Sequence, residues 1–278
     1  MLTRLREGTP DAAREGRPDP LGSEGGPGAA VRVSRLSHSF GDLQVIDRID
    51  LEAEPGEVLG IVGPSGCGKT TLLELVAGLS PPVAGSIAVG DRSEPAERLK
   101  RCAYMAQRDL LLPWLSAVDN AALALRIAGI RKGESRSQAA AHFPRLGLSG
   151  FEDTRPGDLS GGMRQRVAFL RTVMAGRPVL LLDEPFASLD AITRAELQSW
   201  LADVLGPDRH TVVLVTHDIE EALYLSDRVL VLSSRPASVA DEIEVVHPRA
   251  ADRAAAVTSA EFARLKARAL KSLAGAAR

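Results

Sequence analysis

The sequence predicts an α/β fold built on a mainly parallel core sheet, and three observations predict it. The runs Val58–Val62, Val179–Leu182 and Thr211–Val215 are almost continuously apolar or β-branched, as strands covered on both faces are. Each run is followed by a helix-compatible stretch, the alternation that a parallel sheet requires. The first run opens into Gly63-Pro64-Ser65-Gly66-Cys67-Gly68-Lys69-Thr70, where three glycines leave the backbone free to approach another group closely.

The chain has 278 residues, 45% of them hydrophobic, enough for one substantial core. Thirty-four basic residues against thirty-six acidic leave a formal charge of −2, which removes the electrostatic argument for a nucleic-acid partner. Cys67 and Cys102 are too few for a disulfide framework or a zinc site and are expected as free thiols in a reducing compartment. No stretch approaches the ~18 apolar residues of a membrane span. Met1 to Asp11 carry charges and no apolar signal region, so the chain is expected to stay in the cytoplasm unless another protein holds it at a membrane.

Residues 1–30, rich in Gly, Pro, Arg, Glu and Asp, are expected to be a disordered tail. Order begins at Val31, where Val31 to Leu36 alternates as a half-buried strand does, and Gln44 to Leu51 repeats the rhythm. The turn between them carries Phe40, either a stacking platform for a purine or a core anchor. Pro55-Gly56-Glu57 turns the chain into the first buried strand.

Strand, glycine loop and then a helix from near Lys69 is the context of a phosphate-binding loop. Gly63, Gly66 and Gly68 leave amides unobstructed, and the helix adds the positive end of its dipole. Lys69 is placed to reach β- and γ-phosphates, with the Thr70 hydroxyl on magnesium. Cys67 reads as a small residue tolerated inside the loop.

Pro81 to Gly85 ends that helix, and Ser86 to Val89 and Cys102 to Met105 read as short strands, the second running into Gln107. A helical lobe follows, with the apolar patch Leu110-Leu111-Leu112-Pro113-Trp114 and a helix over Asp119 to Ile130, and it extends through Ser135 to Leu146 and Gly147 to Asp158 to the helix after Gly162. Trp114 is either core or a docking residue; the reading favours docking. Ser160-Gly161-Gly162 opens a helix whose apolar face holds Val167, Leu170 and Val173, an anion site of low specificity by itself.

The run Val179 to Leu182 delivers Asp183 and Glu184 to the end of a parallel sheet, where α/β ligands bind. Asp183 suits the magnesium that Thr70 contacts, and Glu184 suits a base acting on water. Thr211 to Thr216 delivers His217, which reads as a γ-phosphate contact beside two such strand ends. Ser188-Leu189-Asp190 leads into a helix with Leu197, Leu201 and Val204 on one face, stopped at Gly206-Pro207. A helix over Glu220 to Leu225, a strand over Arg228 to Leu232 and an edge strand over Asp241 to Val246 follow, then His247-Pro248. In the extension 247–278, Thr258 and Glu261 form a capping-box pattern before an amphipathic helix with Phe262, Leu265 and Ala269 inward and Lys266 and Arg268 outward.

Taken together, these motifs resemble the nucleotide-binding subunit of ATP-binding-cassette (ABC) transporters over residues 31–246. Phe40 is similar to the adenine-stacking aromatic, Gly63 to Thr70 to the Walker A loop, Gln107 to the Q-loop glutamine and Leu159 to Met163 to the signature. Val179 to Glu184 is similar to Walker B with its catalytic glutamate, Ser188 to Asp190 to the D-loop and His217 to the switch histidine. The resemblance implies a P-loop NTPase cassette with an antiparallel β subdomain and a helical signature subdomain at about 108–165. It implies that ATP is bound by Phe40, by Gly63, Pro64, Ser65, Gly66, Cys67, Gly68, Lys69, Thr70 and Thr71, and by Ser160, Gly161, Gly162 and Asp190. Magnesium would be held by Thr70, Gln107 and Asp183, and catalysis carried by Glu184, His217 and Gln107. It further implies a head-to-tail homodimer in which Ser160 and Gly162 of one copy close over ATP held by Lys69 of the other. Integral membrane permease subunits would be direct partners at the cytoplasmic face, and a substrate-binding protein an indirect one. Two departures stand: Met163 occupies a position where glutamine is usual, and Phe40 replaces the more frequent tyrosine. The stretch Tyr104 to Trp114 resembles the importers of nitrate, sulfonate, taurine and thiamine-pyrimidine precursors. The alternatives are an exporter subunit and a soluble cassette working in assembly or scaffolding.

Overall fold

The computed structural model describes residues 28–187, 189–204, 210–246, 249 and 253–276, with only the backbone of 203 and 204. The expected tail therefore lies outside the described residues as far as residue 27. Ala29 and Ala30, placed in that tail by the sequence, are buried.

Two sheets meet. Strands β1 (Val31–Phe40), β2 (Leu43–Ala53) and β4 (Ala84–Val89) form an antiparallel sheet in the order β2-β1-β4. The second sheet has six strands in the order β5-β6-β7-β3-β8-β9. These are β3 (Val58–Val62), β5 (Cys102–Met105), β6 (Val179–Asp183), β7 (Thr211–Val215), β8 (Arg228–Leu232) and β9 (Val239–Glu244). The first five run parallel, and β9 closes one edge antiparallel to β8. Every residue of β3, β6 and β7 is buried, as their apolar runs predict.

Alternation along these strands sorts side chains into two cores. Val62, Leu182 and Leu214 point into a core shared with the helical lobe, and Ile61, Leu181 and Val215 into one shared with the antiparallel sheet. Helix α1 (Lys69–Ala77) joins the second core through Leu72, Leu73, Leu75 and Val76. Helix α2 (Pro95–Arg101), which the sequence reading passed over, starts at a proline and anchors its buried Arg98 on the carbonyls of Leu75 and Ile87.

The helical lobe departs from expectation in detail. The expected helix over Asp119 to Ile130 is two short ones, α3 (Ala117–Ala121) and α4 (Leu123–Ile127). The next is α5 (Lys132–Ala140), followed by a separate 3-10 turn at Pro144–Leu146. Both α3 and α4 pack on α6 (Gly161–Val173), whose Val167, Leu170 and Val173 are buried as expected. Helix α7 (Ala191–Val204) buries Leu197 and Leu201; the side chain of Val204, and residues 206 and 207, lie outside the described residues.

Helices α8 (Ile219–Leu225), α9 (Arg253–Thr258) and α10 (Ala260–Ala276) complete the chain, and His247 and Pro248 lie outside the described residues. Phe262 and Ala269 of α10 are buried, and its outward cations reach the domain: Lys266 pairs with Glu220 and Arg268 with Asp241. The expected cap is corrected by one residue. Ser259 accepts from the Phe262 amide at 3.1 Å, whereas the Thr258 hydroxyl donates back to the Ala254 carbonyl at the end of α9.

Candidate active site

Four loops leave the carboxyl ends of β5, β6, β7 and β3, which are four consecutive strands of the sheet. That edge of a parallel sheet is where α/β folds bind ligands. It opens into a cavity of about 320 Å³ lined by Ser65, Gly66, Gly68, Lys69, Thr70, Thr71, Gln107, Asp183 and Glu184, with Phe40, Leu43, Val45 and Arg235 on the remaining wall. Polar side chains and the apolar ones of β1 and β2 thus line the same cavity.

The glycine loop is built as its composition requires. Gly68 has φ 122, and a Cβ there would lie 2.7 Å from Val45 Cγ1, so only glycine fits both backbone and space. Gly66 has φ 73. Lys69, nearly buried, donates its ammonium to the carbonyls of Gly63 and Pro64 at 2.8 and 3.0 Å. Gly63, Pro64 and Cys67 do not line the cavity; the first two position Lys69, and Cys67 is buried beneath the loop with its thiol pKa raised by burial.

Asp183 is almost fully buried. Its Oδ2 accepts from the Thr70 hydroxyl at 2.7 Å, while its Oδ1 is buried without a hydrogen-bond partner. Burial, opposed by the Thr70 hydrogen bond, raises its pKa. A hard oxygen-seeking cation between Thr70 and Asp183 satisfies both observations, because it takes the idle lone pairs and compensates the desolvated charge. The donor set fits magnesium, and Gln107 reaches the same cavity.

Glu184 sits one residue past the strand with φ 51, a left-handed backbone that is uncommon for a residue with a long side chain. Its amide still donates to Val215 O at 2.9 Å, extending the β6–β7 ladder by one bond before the chain turns. The carboxylate accepts from His217 Nδ1 at 2.6 Å; His217 is largely exposed and meets the site through Glu184 without lining the cavity itself. His217 therefore meets Glu184 directly, while its other ring nitrogen stays available for a ligand.

The remaining expected residues are not in this cavity. Ser160 caps α6 by accepting from the Met163 amide at 3.3 Å, while the half-buried Met163 side chain packs against the core shared with the helical lobe. Ser160, Gly161 and Gly162 stand at an exposed or half-buried helix start, away from the glycine loop of the same chain. Asp190 caps α7, its carboxylate accepting from the amides of Ile192 and Thr193, which holds its pKa down. Asp190 does not line the cavity of its own chain. Ser188 lies outside the described residues.

Three links escaped the sequence reading. Arg235 lines the cavity from the hairpin after β8. Arg194 bridges Leu189 O, at 2.9 Å, to Asp218 beside His217, at 3.6 Å. Arg164 and Arg171 of α6 tie the segment after Gln107 to the helical lobe through Asp109 Oδ2 and the carbonyls of Asp109 and Leu110. Lone arginines outside a motif carry no sequence signal of this kind.

A phosphate loop at β3, an acidic pair at β6 and a histidine at β7 define a nucleotide-hydrolysing P-loop cassette. The family model of ABC transporters matches residues 46–187. The chain is 44% identical over 235 residues to the aliphatic sulfonates import ATP-binding protein SsuB 2 of Burkholderia cenocepacia, covering 84% of each chain. It is 43% identical over 201 residues to the formylaminopyrimidine import ATP-binding protein ThiZ of Halalkalibacterium halodurans, covering 72% of this chain and 78% of that one. Among solved structures it is similar to the ATP-binding cassette MJ0796 in a dimeric post-hydrolysis state bound to ADP and Pi. The TM-score is 0.72 at 27% identity, covering 78% of this chain and 99% of that one. The chain belongs to the ABC transporter family. It is an ATP-binding cassette of that family, an ATPase.

Proposed function

We propose that this cassette powers the uptake of a small solute, of the sulfonate, nitrate or pyrimidine-precursor class, as an ATP-dependent head-to-tail homodimer beneath a membrane permease. The observation that carries the ATPase part is the convergence of the glycine loop, Asp183, Glu184 and His217 on one sheet edge. The import part rests on the names of the relatives, aliphatic sulfonates import and formylaminopyrimidine import proteins.

ATP would lie with its ring on the exposed Phe40 and its phosphates on the amides of Ser65 to Thr71. Lys69 would exchange the loop carbonyls for β- and γ-phosphate oxygens. Thr70, Asp183 and Gln107 would hold Mg2+, which neutralises charge on those oxygens. Glu184 orients and deprotonates the attacking water, and His217 holds the carboxylate in place while its free ring nitrogen meets the γ-phosphate. Ser160 and Gly162 of a second copy would close the site with the free amides of an α6 start.

A partner surface stands on the helical lobe. Leu110, Trp114 and Ile127 are 58%, 68% and 76% exposed, unusual for side chains of that size, beside a groove between Tyr104, Leu123 and Arg171. No helix among the described residues is long and apolar enough to cross a membrane. A permease seated on this face at the cytoplasmic surface would feel every movement of α6 through Arg164 and Arg171. The test is affinity capture of a tagged Glu184→Gln variant from solubilised membranes with ATP and magnesium. A multispanning permease with an associated solute-binding protein is the expected catch; recovery of soluble proteins alone would favour the scaffolding alternative.

A further inference from the structure

The nucleotide cavity contains a cation that no recognised motif supplies. Arg235 lines it beside the glycine loop, its Nη2 3.6 Å from where a Cβ on Gly66 would stand. Burial pushes the Cys67 thiol up, and the charges of Lys69 and then Arg235 act against that push, so both cations are felt inside the loop. Lys69 donates to loop carbonyls. Arg235, by contrast, has no hydrogen-bond or ion-pair partner among the described residues.

The hairpin that carries it is tied on three sides through the residues flanking Arg235. Ser233 N donates to Ser238 O and Ser238 N to Ser233 Oγ, each at 2.9 Å, closing the hairpin between β8 and β9. Ala237 exchanges hydrogen bonds with β2, donating to Val45 O at 2.8 Å and accepting from Asp47 N at 2.9 Å. Ser234 N donates to Ala276 O, at the end of α10. The hairpin is thus fastened to the strand whose Leu43 and Val45 form the cavity wall. A guanidinium on a fixed backbone, exposed and without a carboxylate, is poorly explained by stability, since nothing is gained by holding it there. Facing a site for three phosphates, it has an evident counter-charge.

We propose that Arg235 is a nucleotide-binding residue whose guanidinium contacts the polyphosphate of ATP at the Gly66 end of the loop. This rests on the reading that the phosphates lie on residues 63–71. The geometry implies that Arg235 discriminates by phosphate charge and contributes nothing to recognition of the base. It also makes the hairpin a third support of the nucleotide, with the glycine loop and Phe40.

The experiment is calorimetric titration of the full chain with adenosine, ADP and ATP, using wild type, Arg235→Ala, Arg235→Lys and Lys69→Ala. Arg235→Ala is expected to weaken ADP and ATP roughly tenfold or more, as loss of a charge-assisted hydrogen bond does, and to leave adenosine unchanged. Arg235→Lys should recover part of the loss, and added salt should narrow the gap. Equal weakening of adenosine would overturn the proposal, because it would make Arg235 a base or fold contact. Unchanged ADP and ATP affinity in Arg235→Ala would also overturn it. If Lys69→Ala still weakens both, the fault lies with Arg235 alone; if Lys69→Ala is silent too, it lies with the placement of the phosphates.

Discussion

Glu184 is held by two strands at once: its amide continues the ladder to β7, and its carboxylate meets the histidine that β7 delivers. A carboxylate aligned in this way is suited to take a proton from water at the moment of attack. Glu184→Gln keeps the shape and loses the base, so hydrolysis should fall by about 10²–10⁴-fold with ATP affinity kept. A steady-state rate within a few-fold of wild type would remove Glu184 from that role. A second carboxylate nearby behaves differently. Glu221 is buried, accepts from Gln198 Nε2 at 3.3 Å through one oxygen, and leaves the other without a hydrogen-bond partner among the described residues. Burial pushes its pKa from 4.5 up to about 8. The folded protein therefore keeps a proton that the unfolded chain has lost, and stability declines as pH rises from 4.5 to about 8. Glu221→Gln, which cannot ionise, should unfold at a higher temperature than wild type, by a margin that widens over that interval and then levels. A margin independent of pH would show that Glu221 does not titrate there. Glu184 was legible because an apolar run ended in two carboxylates; Glu221 was not, since nothing in an Asp-Ile-Glu-Glu run says which side chain the fold will bury.

Among the elements, strands were more legible than helices. β5 runs from Cys102 to Met105 as its composition says, and β3, β6 and β7 needed only their uninterrupted apolar runs. The lobe helices were misjudged in length because alanine and leucine favour helix at every position and do not mark where tertiary contacts break it. Asn120 is the clearest case. Fully buried inside what reads as one long helix, it instead organises the turn before it. Its Oδ1 accepts from Leu112 N at 2.8 Å, and its Nδ2 reaches the carbonyls of Leu112, Leu115 and Ser116. This one side chain thus holds the segment that presents Trp114. Asn120→Ala strands those groups and should cost about 2–3 kcal/mol in urea unfolding. Loss well under 1 kcal/mol would mean that the turn is held by its packing alone.

At the scale of the molecule, the expected nucleotide-binding residues are spread over separate elements of the described chain. One face carries the glycine loop, Asp183, Glu184 and His217; the signature start at Ser160 to Gly162 is on another element and outside that cavity. The sequence could give the parts, because each lies in a short contiguous motif, but not the positions of Arg235, Arg194 and Asn120, which matter only after folding. Two copies arranged head to tail would complete each other's sites. The most direct test mixes two inactive variants, Lys69→Ala, which lacks the phosphate cation, and Gly162→Asp, which sets a carboxylate against the phosphate from the signature side. A mixed dimer contains one site with an intact Lys69 and an intact signature, so ATPase activity should reappear on mixing and depend on protein concentration. If the mixture stays as inactive as its components while each variant is folded and dimerises, the two halves act within one chain and the shared site is wrong.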